Sequence, residues 1–262
     1  MAQDPTSRVP EGGNRIAVLF LQPQCNMTCL FCATEDGFSA LSLSQGQSLV
    51  RALKAHGVGN IILGGGEPFA WKPDPLRLAG FAKSLGLLVQ IGTNGISLPA
   101  GFATSPRVDR FILPLESAEA GAHDKLRLHG GGHHKLILDR LDALGRAGKP
   151  VTISTVLTRL NADDLGNLGR FLAGYHRTYG NLHAWHLYRL LPVGRGGARH
   201  GPRLDVGREE YHAASNRVRL QEPSLRILKR PDMLRSTSVG FFWMQGGAVR
   251  SLSPYEVHFN PP

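Results

Sequence analysis

The sequence predicts an α/β fold, a partial (β/α)6 barrel of the TIM type with a short C-terminal extension, and three observations carry that prediction. Short apolar runs alternate with amphipathic helical patterns along most of the 262 residues, which is the rhythm of a parallel sheet. Polar or glycine-rich residues stand immediately after each apolar run, where a parallel barrel would gather them on one rim. All three cysteines fall inside eight residues, 25–32 (CNMTCLFC), just past the first run.

Each element has its own signal. Residues 15–21 (RIAVLFL) read as a buried strand, stopped by Pro23 and followed at once by the cysteine loop. A helical pattern begins at Ser44, carries Leu49, Val50 and Leu53, and ends near Gly57. The second strand, 60–63 (NIIL), runs into Gly64, Gly65, Gly66, Glu67 and Pro68. A helix over 75–85 precedes the third strand, 87–91, and then Thr93 and Asn94. The fourth strand, 110–115, ends at Glu116 and Ser117. Helix 133–147 sets Leu136, Ile137, Leu141 and Leu144 on one face. The fifth strand, 151–157, has Asn161 just past its end. Helix 163–175 leads to the sixth strand, 185–191, which Pro192 stops. Six such units leave a barrel open rather than closed at eight strands. The chain accordingly divides into a flexible N-terminus (1–14), a core (15–198) and an extension (199–262). The extension holds a helix near 206–218 and a hairpin that turns over Gln245-Gly246-Gly247.

At 42% hydrophobic the chain can bury one sizeable core. No apolar run reaches the ~18 residues of a membrane span, and the polar opening MAQDPTSRVPEGGN is no signal peptide. Three cysteines in one tight group argue against a secreted disulfide scaffold, so the expected address is a reducing cytoplasm. The net charge is +10, and residues 189–250 hold eleven Arg and one Lys against five acidic residues, 12 − 5 = +7 of that total. A solvated basic face accounts for such an excess, and so does an anionic partner such as a nucleotide.

Three thiolates spaced four and three apart can converge on one metal centre, yet they leave a four-coordinate centre one ligand short. Open positions belong to sites of chemistry, and clustered cysteines commonly hold iron–sulfur centres. A zinc knuckle completed by a distant His is the alternative. The spacing C-x3-C-x2-C, with Phe31 before the last cysteine, resembles the cluster motif of the radical S-adenosylmethionine (radical SAM) superfamily, and the likeness extends over roughly residues 15–197.

That resemblance implies a [4Fe–4S] cluster held by Cys25, Cys29 and Cys32, with SAM chelating the fourth iron. Gly65, Gly66, Glu67 and Pro68 match the family's Gly-Gly-Glu-Pro motif, which binds the aminocarboxyl end of SAM. Thr93 and Asn94 resemble the third-strand signature. Glu116, with Ser117 beside it, falls where many members contact the ribose. Phe31, Asn161 and Leu191 occupy places similar to adenine contacts. Residues 123–130 (HDKLRLHG) resemble the H-x-x-x-R stretch, which makes Arg127 a partner for the SAM carboxylate. Where many relatives have Ser-Leu-Asp, this chain has Pro114-Leu115-Glu116.

The activity implied is reductive cleavage of SAM to a 5′-deoxyadenosyl radical, which takes hydrogen from a substrate; the one-electron donor would be a flavodoxin or ferredoxin. No catalytic acid, base or radical donor can be named. The arginine excess favours a small anionic substrate, a nucleotide or phosphorylated metabolite, with Arg189, Arg195 and Arg199 nearest the mouth in sequence. A peptide-modifying maturase without auxiliary clusters, a glycyl-radical activase, and a non-enzymatic metal- or nucleic-acid-binding module are the alternatives, and peptide or RNA substrates stay open. No cysteine follows Cys32, so none can ligate an auxiliary cluster, and the 24 residues before Cys25 are too few for a fused peptide-recognition domain.

Overall fold

The computed structural model describes residues 15–255 and 257. The expected flexible N-terminus, 1–14, lies outside the described residues. In chain order the main elements are β1 (Arg15–Phe20), β2 (Thr28–Cys29), α1 (Leu43–Ala55), β3 (Val58–Gly64), α2 (Pro75–Ser84), β4 (Leu88–Gly92) and β5 (Arg110–Pro114). There follow α3 (Ala120–Leu126), β6 (Arg127–Leu128), α4 (His133–Arg146), β7 (Val151–Leu157), α5 (Leu165–Tyr179) and β8 (Leu182–Arg189). The last are α6 (Gly194–Leu204), α7 (Gly207–Gln221), β9 (Ile227–Arg230), β10 (Val239–Gln245) and β11 (Ala248–Leu252).

The six sequence-predicted strands form the contiguous middle of one sheet, ordered β11-β10-β1-β3-β4-β5-β7-β8-β9. The extension adds a parallel strand to each edge: β9 pairs with β8, and β10 pairs with β1. The predicted hairpin is present, since β11 returns antiparallel on β10. Its two-residue turn, Gly246-Gly247, has both φ angles positive, as a tight hairpin turn requires.

The sheet is rolled. Arg230 and Val239 are nine residues apart, a span of at most roughly 32 Å. In a flat sheet the seven strand spacings from β10 to β9, each ~4.8 Å, would separate those edges by roughly 34 Å. The chain must in addition return from the end of one parallel strand to the start of the other. Only a curled sheet lets so short a connector join its edges, so β9 and β10 face each other across a seam.

Burial alternates along the strands as this geometry demands. Ala17 and Leu19 of β1, Ile61 and Leu63 of β3, and Trp185 and Leu187 of β8 are fully buried under the helices. Their neighbours Val18, Phe20, Ile62, His186 and Tyr188 face inward and are half-buried. Helix α1 starts on a capping box: the Ser42 hydroxyl accepts from Gln45 N–H, while Gln45 reaches back to Ser42 N–H. Five elements, β2, α3, β6, α6 and β9, are not predicted from the sequence. Helix α6 is built on GRGGARHGPRL, a poor helix former with Pro202 inside it. Strand β9 has one buried apolar residue, Ile227.

Candidate cofactor site

Because the strands run parallel, the loops after β1, β3, β4, β5, β7 and β8 lie together at one rim. The first two are zipped by backbone bonds: Leu21 N–H to Gly64 O (3.0 Å), Gly66 N–H to Gln22 O (2.7 Å) and Glu67 N–H to Gln24 O (2.8 Å). Gly66 leaves no room for a side chain, since a Cβ there would fall onto the Pro23 and Gln24 backbone. Here the glycine serves close approach.

The cysteine loop is fixed from two sides. Strand β2 pairs antiparallel with β6, which sets Arg127 opposite Cys29. On the other side the N-terminus of α6 docks on the loop: Gly196 and Gly197 N–H donate to Cys32 O at 3.0 and 3.1 Å, and Arg195 N–H to Thr34 O at 3.1 Å. A Cβ on Gly196 would strike Cys29 O and Cys32 N. The three cysteines are partly buried. Nitrogen donors point at two of them, Arg127 Nη1 at Cys29 Sγ (3.4 Å) and Asn94 Nδ2 at Cys25 Sγ (3.7 Å). Burial pushes the Cys29 thiol up to about 11 against the pull of Arg127, and it raises Cys25 as well. A metal centre must therefore displace protons to bind.

Three sulfurs offered from one loop, with no fourth cysteine in the chain, are a donor set that fits an iron–sulfur centre with one position left open.

Glu67 is 1% exposed. Its Oε1 accepts from Thr93 Oγ1 (2.6 Å) and Phe69 N–H (3.0 Å), and its Oε2 from Asn94 N–H (2.8 Å). The carboxylate thus knits the loops after β3 and β4 together, with one lone pair free for an ammonium. Burial raises its pKa against those hydrogen bonds.

Glu116 and Arg127 form a buried ion pair, Arg127 Nη2 to Glu116 Oε1 at 2.7 Å and Nε to the same oxygen at 2.8 Å. The other carboxylate oxygen accepts from Val156 N–H at 2.7 Å. Burial pulls the Arg127 pKa down, and the charges of Glu116 and Cys29 more than restore it. The guanidinium also stacks on Phe31, 5.1 Å from the ring centroid, and Phe31 rests on Leu126, Leu190 and Leu204. Leu191 follows, half-buried.

Asn161 uses its whole amide inside the chain, donating to Glu116 O (2.7 Å) and Val156 O (3.1 Å) and accepting from Thr158 N–H (2.7 Å) and Oγ1 (2.9 Å). It ties the ends of β5 and β7 together. Ser117 Oγ donates to Asp164.

One group of site residues has only a half-signal in the sequence. Glu116 N–H donates to His123 Nδ1 (3.1 Å), His123 Nε2 meets His133 Nδ1 (2.8 Å), and His133 Nε2 meets Asn94 O (2.8 Å). The backbone donor at one end and the carbonyl at the other fix both tautomers, each ring protonated on Nε2. All four ring nitrogens are occupied, so these rings with Asp124 hold no metal although their ligand atoms lie within 4.8 Å of one another. His133 opens a predicted helix, but only the fold sets it beside His123. Thr158 and Asp164 had no local signal.

Two of the three arginines expected at the mouth are engaged within the chain. Arg195 bonds Pro23 O and Thr34 O (3.3 Å) and pairs with Asp36 (3.2 Å), clamping the cysteine loop. Arg189 pairs with Asp205 at 3.4 Å. Arg199 is exposed.

The radical SAM superfamily model matches residues 19–172. The chain is 29% identical over 172 residues to a PqqA peptide cyclase of Streptomyces rochei, covering 63% of this chain and 45% of the relative. It is 28% identical over 155 residues to a probable GTP 3′,8-cyclase of Methanopyrus kandleri, covering 57% and 50%. It thus spans about half the length of the curated relatives it matches. Among solved structures, SuiB of Streptococcus suis bound to S-adenosylmethionine superposes with a TM-score of 0.64 at 16% identity, over 84% of this chain and 48% of SuiB. HydG of Carboxydothermus hydrogenoformans, a maturase of FeFe-hydrogenase, gives 0.63 at 18% identity, over 84% and 55%. At such identities the superpositions show the fold. No helix among the described residues is long and apolar enough to cross a membrane. The chain belongs to the radical SAM superfamily, a family of enzymes whose cofactors are a [4Fe–4S] cluster and S-adenosylmethionine.

Proposed function

We propose that Cys25, Cys29 and Cys32 ligate the cluster and that the rim from Gly65 to Leu191 seats SAM, for reaction with a small anionic substrate. The observation that carries this reading is the three-thiol loop, clamped by α6 and β6, with nitrogen donors of Arg127 and Asn94 aimed at two of its sulfurs. When bound, the cluster and SAM supply one-electron reductive cleavage and hydrogen-atom abstraction. The chain's own part is to hold them. Gly65 and Gly66 let the loops after β1 and β3 close on each other, which sets their backbone beside the aminocarboxyl group, and Glu67 offers its free lone pair to the ammonium. Arg127 offers positive charge beside Cys29, with Glu116 and the two histidines fixing its place. Thr93, Asn94 and Ser117 complete the rim, while Phe31 and Leu191 give the adenine an apolar seat. Asn161 contributes by setting the strand ends.

The GTP cyclase likeness supports a nucleotide or another phosphorylated substrate. The PqqA peptide cyclase likeness supports a second reading, a peptide substrate. A cytoplasmic setting and a flavodoxin or ferredoxin donor accord with the free thiols and the one-electron chemistry.

Anaerobic reconstitution tests the proposal. The protein should take up close to four irons and four sulfides and, with dithionite, release 5′-deoxyadenosine from SAM. Tightly held zinc without sulfide would overturn it. A nucleotide panel against a peptide panel, scored by stimulated 5′-deoxyadenosine release, separates the two substrate readings.

A further inference from the structure

The inner face of the rolled sheet is not filled. A closed eight-stranded barrel packs its interior with layers of side chains, whereas Val18, Phe20, Ile62, Ile112, His186 and Tyr188 are all half-buried here. The two sides of the seam differ in chemistry. On the β1–β10 side, Phe242 and Met244 belong to the core under the helices, so Phe241 and Trp243 face inward by alternation. Phe20 meets Phe241 edge-on at 6.0 Å.

On the β8–β9 side, Ile227 is in the core and Lys229 bonds Asn216 of α7, so Arg230 faces inward. It lies in register with Tyr188, and Tyr188 Oη is 3.3 Å from His186 Nδ1. Among the described residues Arg230 has no carboxylate partner. Below it, Arg110 Nε bonds Gln90 Oε1 (2.8 Å) and Gln90 Nε2 bonds Asn60 Oδ1 (2.9 Å), which makes a polar floor. The positive potential is felt at His186, where burial and the charges of Arg230 and Arg110 hold the pKa down at about 3. An aromatic wall and an uncompensated cationic wall thus face each other beneath the cofactor rim.

We infer that this lumen binds a planar ring carrying an anionic group, phosphate or carboxylate. The ring lies against Phe20, Phe241 and Trp243, and the anion sits at Arg230 with Tyr188 and His186. This deepens the proposed function and rests on it, and it moves anion recognition from the arginines near the mouth in sequence to one inside the barrel.

Anaerobic calorimetry on the SAM-loaded holoenzyme tests it with two matched pairs, guanosine 5′-monophosphate against guanosine and indole-3-acetate against indole-3-ethanol. The tighter anion shows whether phosphate or carboxylate is preferred. That anion should bind about tenfold or more above its neutral partner, the usual scale of a charge-assisted contact. Arg230→Gln should erase the advantage and Arg230→Lys should restore part of it. Trp243→Leu should weaken both members of a pair alike. Equal binding within both pairs, no effect of Arg230→Gln, or no binding by any probe overturns the inference while cluster and SAM loading leave the proposed function standing. Failure to load cluster and SAM overturns both.

Discussion

The rim and the lumen of this molecule are built to opposite rules. At the rim nearly every polar group has its partner inside the chain: Glu67 accepts three hydrogen bonds, Asn161 makes four, and Glu116 is enclosed by Arg127 and Val156. In the lumen Arg230 has no counter-ion among the described residues, and the aromatic faces stay half-exposed. A saturated network rigidifies what it holds, which suits cofactors that are the same in every turnover. Unsatisfied charge and open apolar surface suit a ligand that comes and goes. The difference separates the part of the site that the chain completes from the part that a substrate would complete.

Substitutions at the cysteines should break this contrast most severely. Cys25→Ala, Cys29→Ala or Cys32→Ala should abolish cluster assembly, seen as loss of bound iron and sulfide and of 5′-deoxyadenosine release. A variant that keeps a full cluster would remove that residue from the ligand set.

Next in size is the buried ion pair. Arg127→Met leaves the Glu116 carboxylate buried without its partner, and removal of one member of such a pair typically costs about 3–5 kcal/mol. Urea denaturation should show that loss, and adding Glu116→Gln should recover part of it. A loss below about 1 kcal/mol would mean that the rim relaxes around the charge.

Acid should act through the histidine pair. His133 is held down to about 4 and His123 to about 2, both mainly by burial, while an unfolded His titrates near ~6.5. The unfolded chain therefore gains protons first as the pH falls below that value. Stability is full above pH ~6.5 and declines until the folded pKa is reached, by about 1.4 kcal/mol per unit for each ring. His183 and His186, held at about 4 and about 3, act in the same direction. Glu67 and Glu116, raised by burial, act oppositely. His133→Gln should remove about 2 kcal/mol of the loss between pH 6.5 and 5 in urea melts; an unchanged slope would show that His133 titrates normally when folded.

The smallest effect is the sharpest test of the comparison. Arg230→Met should change urea stability by no more than about 0.5 kcal/mol, because it breaks no ion pair. A loss as large as that of Arg127→Met would place Arg230 in a structural network and remove the distinction between lumen and rim.

By itself the sequence determined the α/β class, the six middle strands, the placing of the cysteine loop, Gly65–Pro68, Thr93–Asn94 and Glu116–Ser117 at successive strand ends, and the hairpin turn. These are legible because strand and helix periods record which face is buried, and because a tight turn or close approach demands glycine locally. Tertiary structure alone decided that GRGGARHGPRL is a helix, since its glycines answer to the cysteine loop they touch rather than to helix propensity. It decided that Arg127 sits opposite Cys29, that Arg195 is a clamp, and that His123 and His133 are bonded. It also decided that Arg230 looks inward, because β9 earns its strand conformation by pairing with β8. Each of these depends on a partner distant in the chain, and local periodicity carries no record of which distant residue will be the neighbour.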